Sequence, residues 1–358
     1  MGAVLAAGVT HYPPLALPDE RMADVFRWAL RDPDLPAQRR DPAGWPRRLR
    51  TEWGDDEGLS AAALHREELR RQFQRVRDAL DEFRPDVVLI WGDDQYELFT
   101  EQCVPAFAVC AFDDVTTQLW KRPFYAGRPN AWGEDEETPY VIKGSRRAGK
   151  KLTTELLARG IDVAYSYEPP AGRPMPAAFA NTLRYLDWTG EGFPHPSLFV
   201  SINCYGRRLV KHKGGLAYLR DVPRDQMELD PPAPSPGRCF DVGAAIADIC
   251  AASESRVALV ASSSWSHAFL YEDSHFLLPD TARDRELFQL LAGDKPSAWR
   301  DITLAEVERS GQHEMLNWFC LAGAVDRLGV RPQWLELTES DLFTSNKVFG
   351  VYEVRETA

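Results

Sequence analysis

The chain of 358 residues is predicted to form an α/β fold: a central, mostly parallel or mixed sheet with helices on both faces, in a single domain. Three observations predict it. Short apolar runs that read as buried strands alternate with longer helical stretches from one end to the other. Several of these runs stop abruptly in polar residues. No internal repeat or low-complexity tract interrupts the series, and large α/β units often exceed the average domain length.

The first apolar run, residues 4–9, is a strand stopped by Pro13 and Pro14, which sets His11 at its carboxyl end. Asp19 is placed to cap a helix reaching Leu30, and residues 31–58, rich in Pro, Arg, Asp and Trp without a clean period, read as a long loop, insertion or lid. Ser60 is read as the cap of a helix through Phe83, followed by a second strand at 87–91 that runs into Gly92-Asp93-Asp94-Gln95. Further strands are expected at 106–112, 161–165, 198–202 and 257–261, with helices at 142–159 and 239–252 between them. The loop 262–267, ending in His267, follows the last of these strands. Helices at 281–291, 303–309 and 313–328 and a short β segment at 349–354 complete the chain, while 206–235 reads as a mobile loop with a Pro-rich connector at its end.

Composition narrows the function. Apolar residues make up 44% and charged residues 27%, which is ordinary globular material with ample core. The net charge of -12 repels phosphate, so neither nucleic acid nor an anionic membrane is an expected partner. Six scattered cysteines, with no CxxC pair, read as reduced thiols. With no basic leader and no run of spanning length, a cytoplasmic location is expected.

Ligands of open α/β sheets collect outside the carboxyl ends of the strands, and His11, Asp93-Asp94-Gln95 and the 262–267 loop all fall there. The rigid turn after His11 suits a metal ligand, although a strand-end histidine can equally bond a nearby carbonyl. His267 lies in a loop of small residues where backbone can approach a ligand, or it is a solvated loop histidine. Glu314 stands beside the apolar stripe of a helix, where a carboxylate is costly unless paired or metal-bound, or where it serves the helix N-terminus. The run Arg207, Arg208 to Gly215 is the one local basic cluster: solvated surface, or a loop whose arginines clamp a substrate carboxylate.

Five motifs taken together carry a resemblance: residues 8–15 around His11 and Tyr12, 93–99, 236–243, Ser266-His267, and 314–318 with 322–324. In order and rough spacing the chain resembles the class III extradiol ring-cleaving dioxygenases, the family of the protocatechuate 4,5-dioxygenase catalytic subunit. That resemblance implies an Fe(II)-dependent enzyme that cleaves a catecholic or aminophenolic ring with O2. It implies His11 and Glu314 as ligands of a facial triad and His267 as the acid/base histidine; Tyr12, Asp94, Arg207 and Arg208 are further expected to bind the substrate. A small aromatic substrate, O2 and a homo-oligomer are the expected partners. The chain departs from the pattern at Gln95, where the family has its second ligand histidine, and near Ala171, where a further histidine is usual. Three outcomes stay open: iron with Gln95 or another third ligand (Asp93, Asp94, His275 or His313), another oxidative or hydrolytic reaction, or a metal-free partner subunit.

Overall fold

The computed structural model describes residues 2–210, 228–293 and 295–356. Its strands are β1 (Ala3–Val9), β2 (Val87–Asp93), β3 (Phe107–Cys110), β4 (Val115–Gln118), β5 (Pro139–Ile142), β6 (Ala164–Ser166), β7 (Ser197–Ile202), β8 (Arg256–Ser262), β9 (Pro332–Thr338), β10 (Lys347–Tyr352) and β11 (Arg355–Glu356). Nine of them form one mixed sheet in the order β6-β3-β7-β2-β8-β1-β10-β9, with β11 also on β1, and β4 and β5 make a separate pair. The four central strands β7, β2, β8 and β1 are parallel, so their carboxyl ends lie along one edge. The single-domain α/β expectation is met, and the sheet is flanked by helices on both faces.

Side-chain alternation divides each central strand between two cores. Val4 and Ala6 of β1 and Leu89 and Trp91 of β2 pack with the helices Pro236–Ala251 and Leu316–Leu328. Leu5, Ala7 and Val9 of β1 and Val88 and Ile90 of β2 pack with the helices Leu59–Phe83 and Ala177–Leu186. The first pair of helices meets backbone to backbone: a Cβ on Gly243 would overlap the Cys320 carbonyl, and one on Gly323 the Phe240 carbonyl. Glycine at both crossings therefore sets how close the helix carrying Asn317 and Trp318 comes to the sheet.

Several elements differ from expectation. Residues 31–58 contain the helices Ala37–Arg40 and Arg47–Trp53, because Trp45, Trp53 and Leu49 pack against Phe26. The long helix begins at Leu59 rather than at a Ser60 cap. Asp56 takes the capping role, accepting from the Ser60 amide at 2.9 Å and the Gly58 amide at 3.2 Å. The helix expected at 142–159 shortens to Arg146–Ala158, with Ile142 the last residue of β5. Most of the 206–235 loop, including residues 211–215 of the basic run, lies outside the described residues. All six cysteines are free thiols, five of them buried. Among the described residues no helix is long and apolar enough to cross a membrane.

Candidate metal centre

The carboxyl edge of the sheet assembles the site. His11 lies two residues beyond β1, Asp93 is the last residue of β2, Tyr205 follows β7 by three, and His267 follows β8 by five. Glu314 approaches from the 3-10 turn His313–Met315 that opens the helix Leu316–Leu328. His11, Asp93 and Glu314 are each at most 2% exposed, and one ligand atom from each lies within 4.8 Å of the others. Such a buried His/Asp/Glu group can hold a metal ion.

Each member is held from behind. His11 Nδ1 faces the Ser262 carbonyl at 3.1 Å, which assigns the proton to Nδ1 and leaves the Nε2 lone pair for the site. The carbonyl contact expected of a strand-end histidine is present on Nδ1, and Nε2 is left facing the acids. The Asn181 amide fixes its backbone, donating to the His11 carbonyl at 2.9 Å. Asp93 Oδ1 accepts from Asn317 Nδ2 at 3.2 Å, and Glu314 Oε1 accepts from the Tyr205 hydroxyl at 2.6 Å. Glu314 Oε2 is buried without a hydrogen-bond partner. Two imidazole nitrogens face that oxygen, His11 Nε2 at 3.4 Å and His267 Nε2 at 3.3 Å.

Electrostatics point the same way. Burial, and then Asp93, holds the Glu314 carboxyl well above the ordinary carboxylate range. Burial lowers His11 despite the opposing field of Asp93, and lowers His267 to about 3. These imidazoles are therefore neutral bases at pH 7, and their contacts with Glu314 are not ion pairs. The buried orphan oxygen, two inward lone pairs and a second carboxylate make a donor set suited to a divalent cation.

His267 is buried, at 7% exposure, not a solvated loop residue. Its Nδ1 faces the Trp265 carbonyl at 2.9 Å, so the lone pair on Nε2 is aimed at Glu314. Gln95, expected as a ligand, presents its amide nitrogen to both acids, donating to Asp93 Oδ2 at 2.9 Å and Glu314 Oε1 at 3.1 Å. Asp94 turns away, its carboxylate accepting from the amides of Glu97, Leu98 and Phe99, with burial raising it to about 6. Tyr12 is buried with the Lys347 ammonium 3.8 Å from its ring centre. His313 is buried against Tyr205, and His275 caps a 3-10 turn beyond the His267 loop. Neither belongs to the His11 group.

Arg207 and Arg208 lie beside Glu308 and Glu272, at 3.8 and 3.1 Å. Sequence reasoning missed Tyr205, Asn181 and Asp284. Of these only Tyr205 carried a signal, its position just past the carboxyl end of a central strand. No protein-family model matches the chain, and no curated protein is significantly similar to it.

Proposed function

We propose that the chain is an Fe(II)-dependent oxygenase of the extradiol type, acting with O2 on a small catecholic or aminophenolic aromatic. The observation that carries this reading is the buried group of His11, Asp93 and Glu314, with a partnerless carboxylate oxygen and the neutral His267 beside it. The ordered resemblance to the class III extradiol family supports it as well. His11, Asp93 and Glu314 would hold the ion. A divalent ion held there would supply Lewis-acid and redox chemistry for an electron-rich ring and O2.

The chain's own groups supply the rest. His267 accepts a ring-hydroxyl proton at Nε2, because its Nδ1–H is committed to the Trp265 carbonyl, and it returns the proton later. Tyr205 orients Glu314, Asn317 orients Asp93, and Ser262 orients His11. Replacing the family's second imidazole by Asp93 makes the donor set harder and more oxygen-rich. Protein purified anaerobically with Fe(II) is expected to retain iron and to consume O2 with at least one catechol or aminophenol. Absence of both bound iron and uptake across such a panel ends the proposal.

One observation favours a second reading, a metal-free partner subunit of such an enzyme. The Gln95 amide cross-links the two carboxylates that a cation would otherwise draw together. Gln95→His separates the readings: a gain of iron affinity and ring cleavage marks a degenerate site. Unchanged binding or lost activity marks Gln95 as part of a working one.

A further inference from the structure

We propose that Asp284 is a positioning residue that fixes His267 and Glu314 relative to one another; it rests on the metal-centre reading only in taking these two as the working pair. Asp284 lies in the first turn of the helix Thr281–Ala292 and is fully buried. Among the described residues no Lys, Arg or His lies within 4 Å of its carboxylate, so it is not there to neutralise a charge. Its two oxygens accept instead from Ser266, Gln312 and Asn346, the first two on the segments that carry His267 and Glu314. The Ser266 amide reaches both oxygens, at 3.3 and 3.2 Å, and the Ser266 hydroxyl donates to Oδ2 at 2.5 Å. Gln312 Nε2 donates to Oδ1 at 2.6 Å, and Asn346 Nδ2 to Oδ2 at 2.8 Å.

Ser266 immediately precedes His267, and Gln312 precedes Glu314 by two residues. One carboxylate therefore clamps the two loops whose side chains meet 3.3 Å apart. Two backbone bonds complete the clamp: His267 N–H donates to the Gly311 carbonyl at 2.9 Å, and Trp265 N–H to the Asn346 carbonyl at 2.9 Å. The second matters chemically, since the Trp265 carbonyl is the acceptor that holds the His267 ring in its Nδ1–H form. An aspartate suits the position because it offers acceptors only. An asparagine of the same shape turns an N–H toward one of four donors and leaves that pair unmade.

The test reads the imidazole itself. Full-length, metal-free protein is labelled with 15N-histidine, and the His267 nitrogens are assigned by their loss in His267→Gln. Wild-type His267 is expected in one neutral tautomer, protonated at Nδ1, near pH 7. In Asp284→Asn that single form gives way to a mixture of tautomers, while His195, bonded to Asp81 on the far side of the chain, keeps its signals. If Asp284→Asn does not fold, Ser266→Ala is read in the same way. A folded variant whose His267 signals match wild type overturns the proposal. Mn(II) titration of the same samples separates it from the metal-centre reading. Wild type is expected to bind, and Asp284→Asn to bind about 10- to 100-fold more weakly, the range for lost support of metal ligands. Failure of the wild type to bind sinks the metal centre and leaves the imidazole result to decide the role of Asp284.

Discussion

Asp284 and Glu314 are both buried carboxylates with no Lys or Arg within 4 Å among the described residues, yet their surroundings are opposite. Asp284 has a donor on every side, drawn from Ser266, Gln312 and Asn346. Glu314 has Tyr205 and Gln95 on one oxygen and nothing on the other, which two lone-pair nitrogens face. A donor-saturated carboxylate is scaffold: burial raises it, but its lone pairs are already taken within the protein. A half-saturated one ringed by other acceptors is unfavourable as a bare anion and is relieved by a proton or by a cation.

The sharpest way to break this contrast is Glu314→Ala, which is expected to weaken Mn(II) or Fe(II) binding at least about 100-fold, since three protein donors become two. Calorimetric titration under anaerobic conditions measures it. Unchanged affinity means that the orphan oxygen has another purpose.

Stability should respond differently at the two acids. In metal-free protein Glu314→Gln is expected to gain about 1 kcal/mol by removing a buried, half-partnered acid, whereas in Asp284→Asn an unpaired buried donor, at a cost of about 2 kcal/mol, offsets the gain from removing the charge. Denaturant unfolding with both variants decides this. Its pH dependence adds a check. Burial raises Asp284 from 3.8 to about 6, so between those values the unfolded chain has released a proton that the folded one keeps. Its contribution to stability therefore falls as pH rises through that window, by about 3 kcal/mol, and the fall is missing in Asp284→Asn. Glu314 acts with the same sign from pH 4.5 upward, and added metal should cancel it.

The smallest effect belongs to Tyr205→Phe, which removes the strongest donor to Glu314 Oε1 while keeping the ring. A loss of about 1 kcal/mol in metal-free stability and a several-fold weaker cation affinity are expected. Equal stability of wild type and variant in chemical denaturation speaks against any role for that hydroxyl.

The central strands were legible because each is a short apolar run cut off by polar residues, and that feature also marks where a ligand belongs. His11 and His267 stood out for the same reason, and Glu314 as a carboxylate beside the apolar stripe of a helix. Asp93 was one of four alternatives to Gln95 as third ligand, and strand geometry separates it from Asp94: alternate residues leave a strand on opposite sides, so Asp93 and Gln95 share a side while Asp94 turns back to cap the 97–99 amides. The helix Ala177–Leu186, source of Asn181, went unseen because nine of its ten residues are buried, which erases the 3.6-residue pattern. Asp284 had no local signal at all. Its partners are 18, 28 and 62 residues away, and only the folded chain brings their donors together.

Strand β1 lies inside the sheet, between β8 on one side and β10 and β11 on the other. In the growing chain β1 therefore stays unpaired until β8, and then β10 and β11, have been synthesised. Pairings so distant in sequence slow folding, and they also set its order. A cation held by His11 and Glu314, as proposed, would have no binding place on the growing chain, so it would join the folded molecule and would not nucleate its folding.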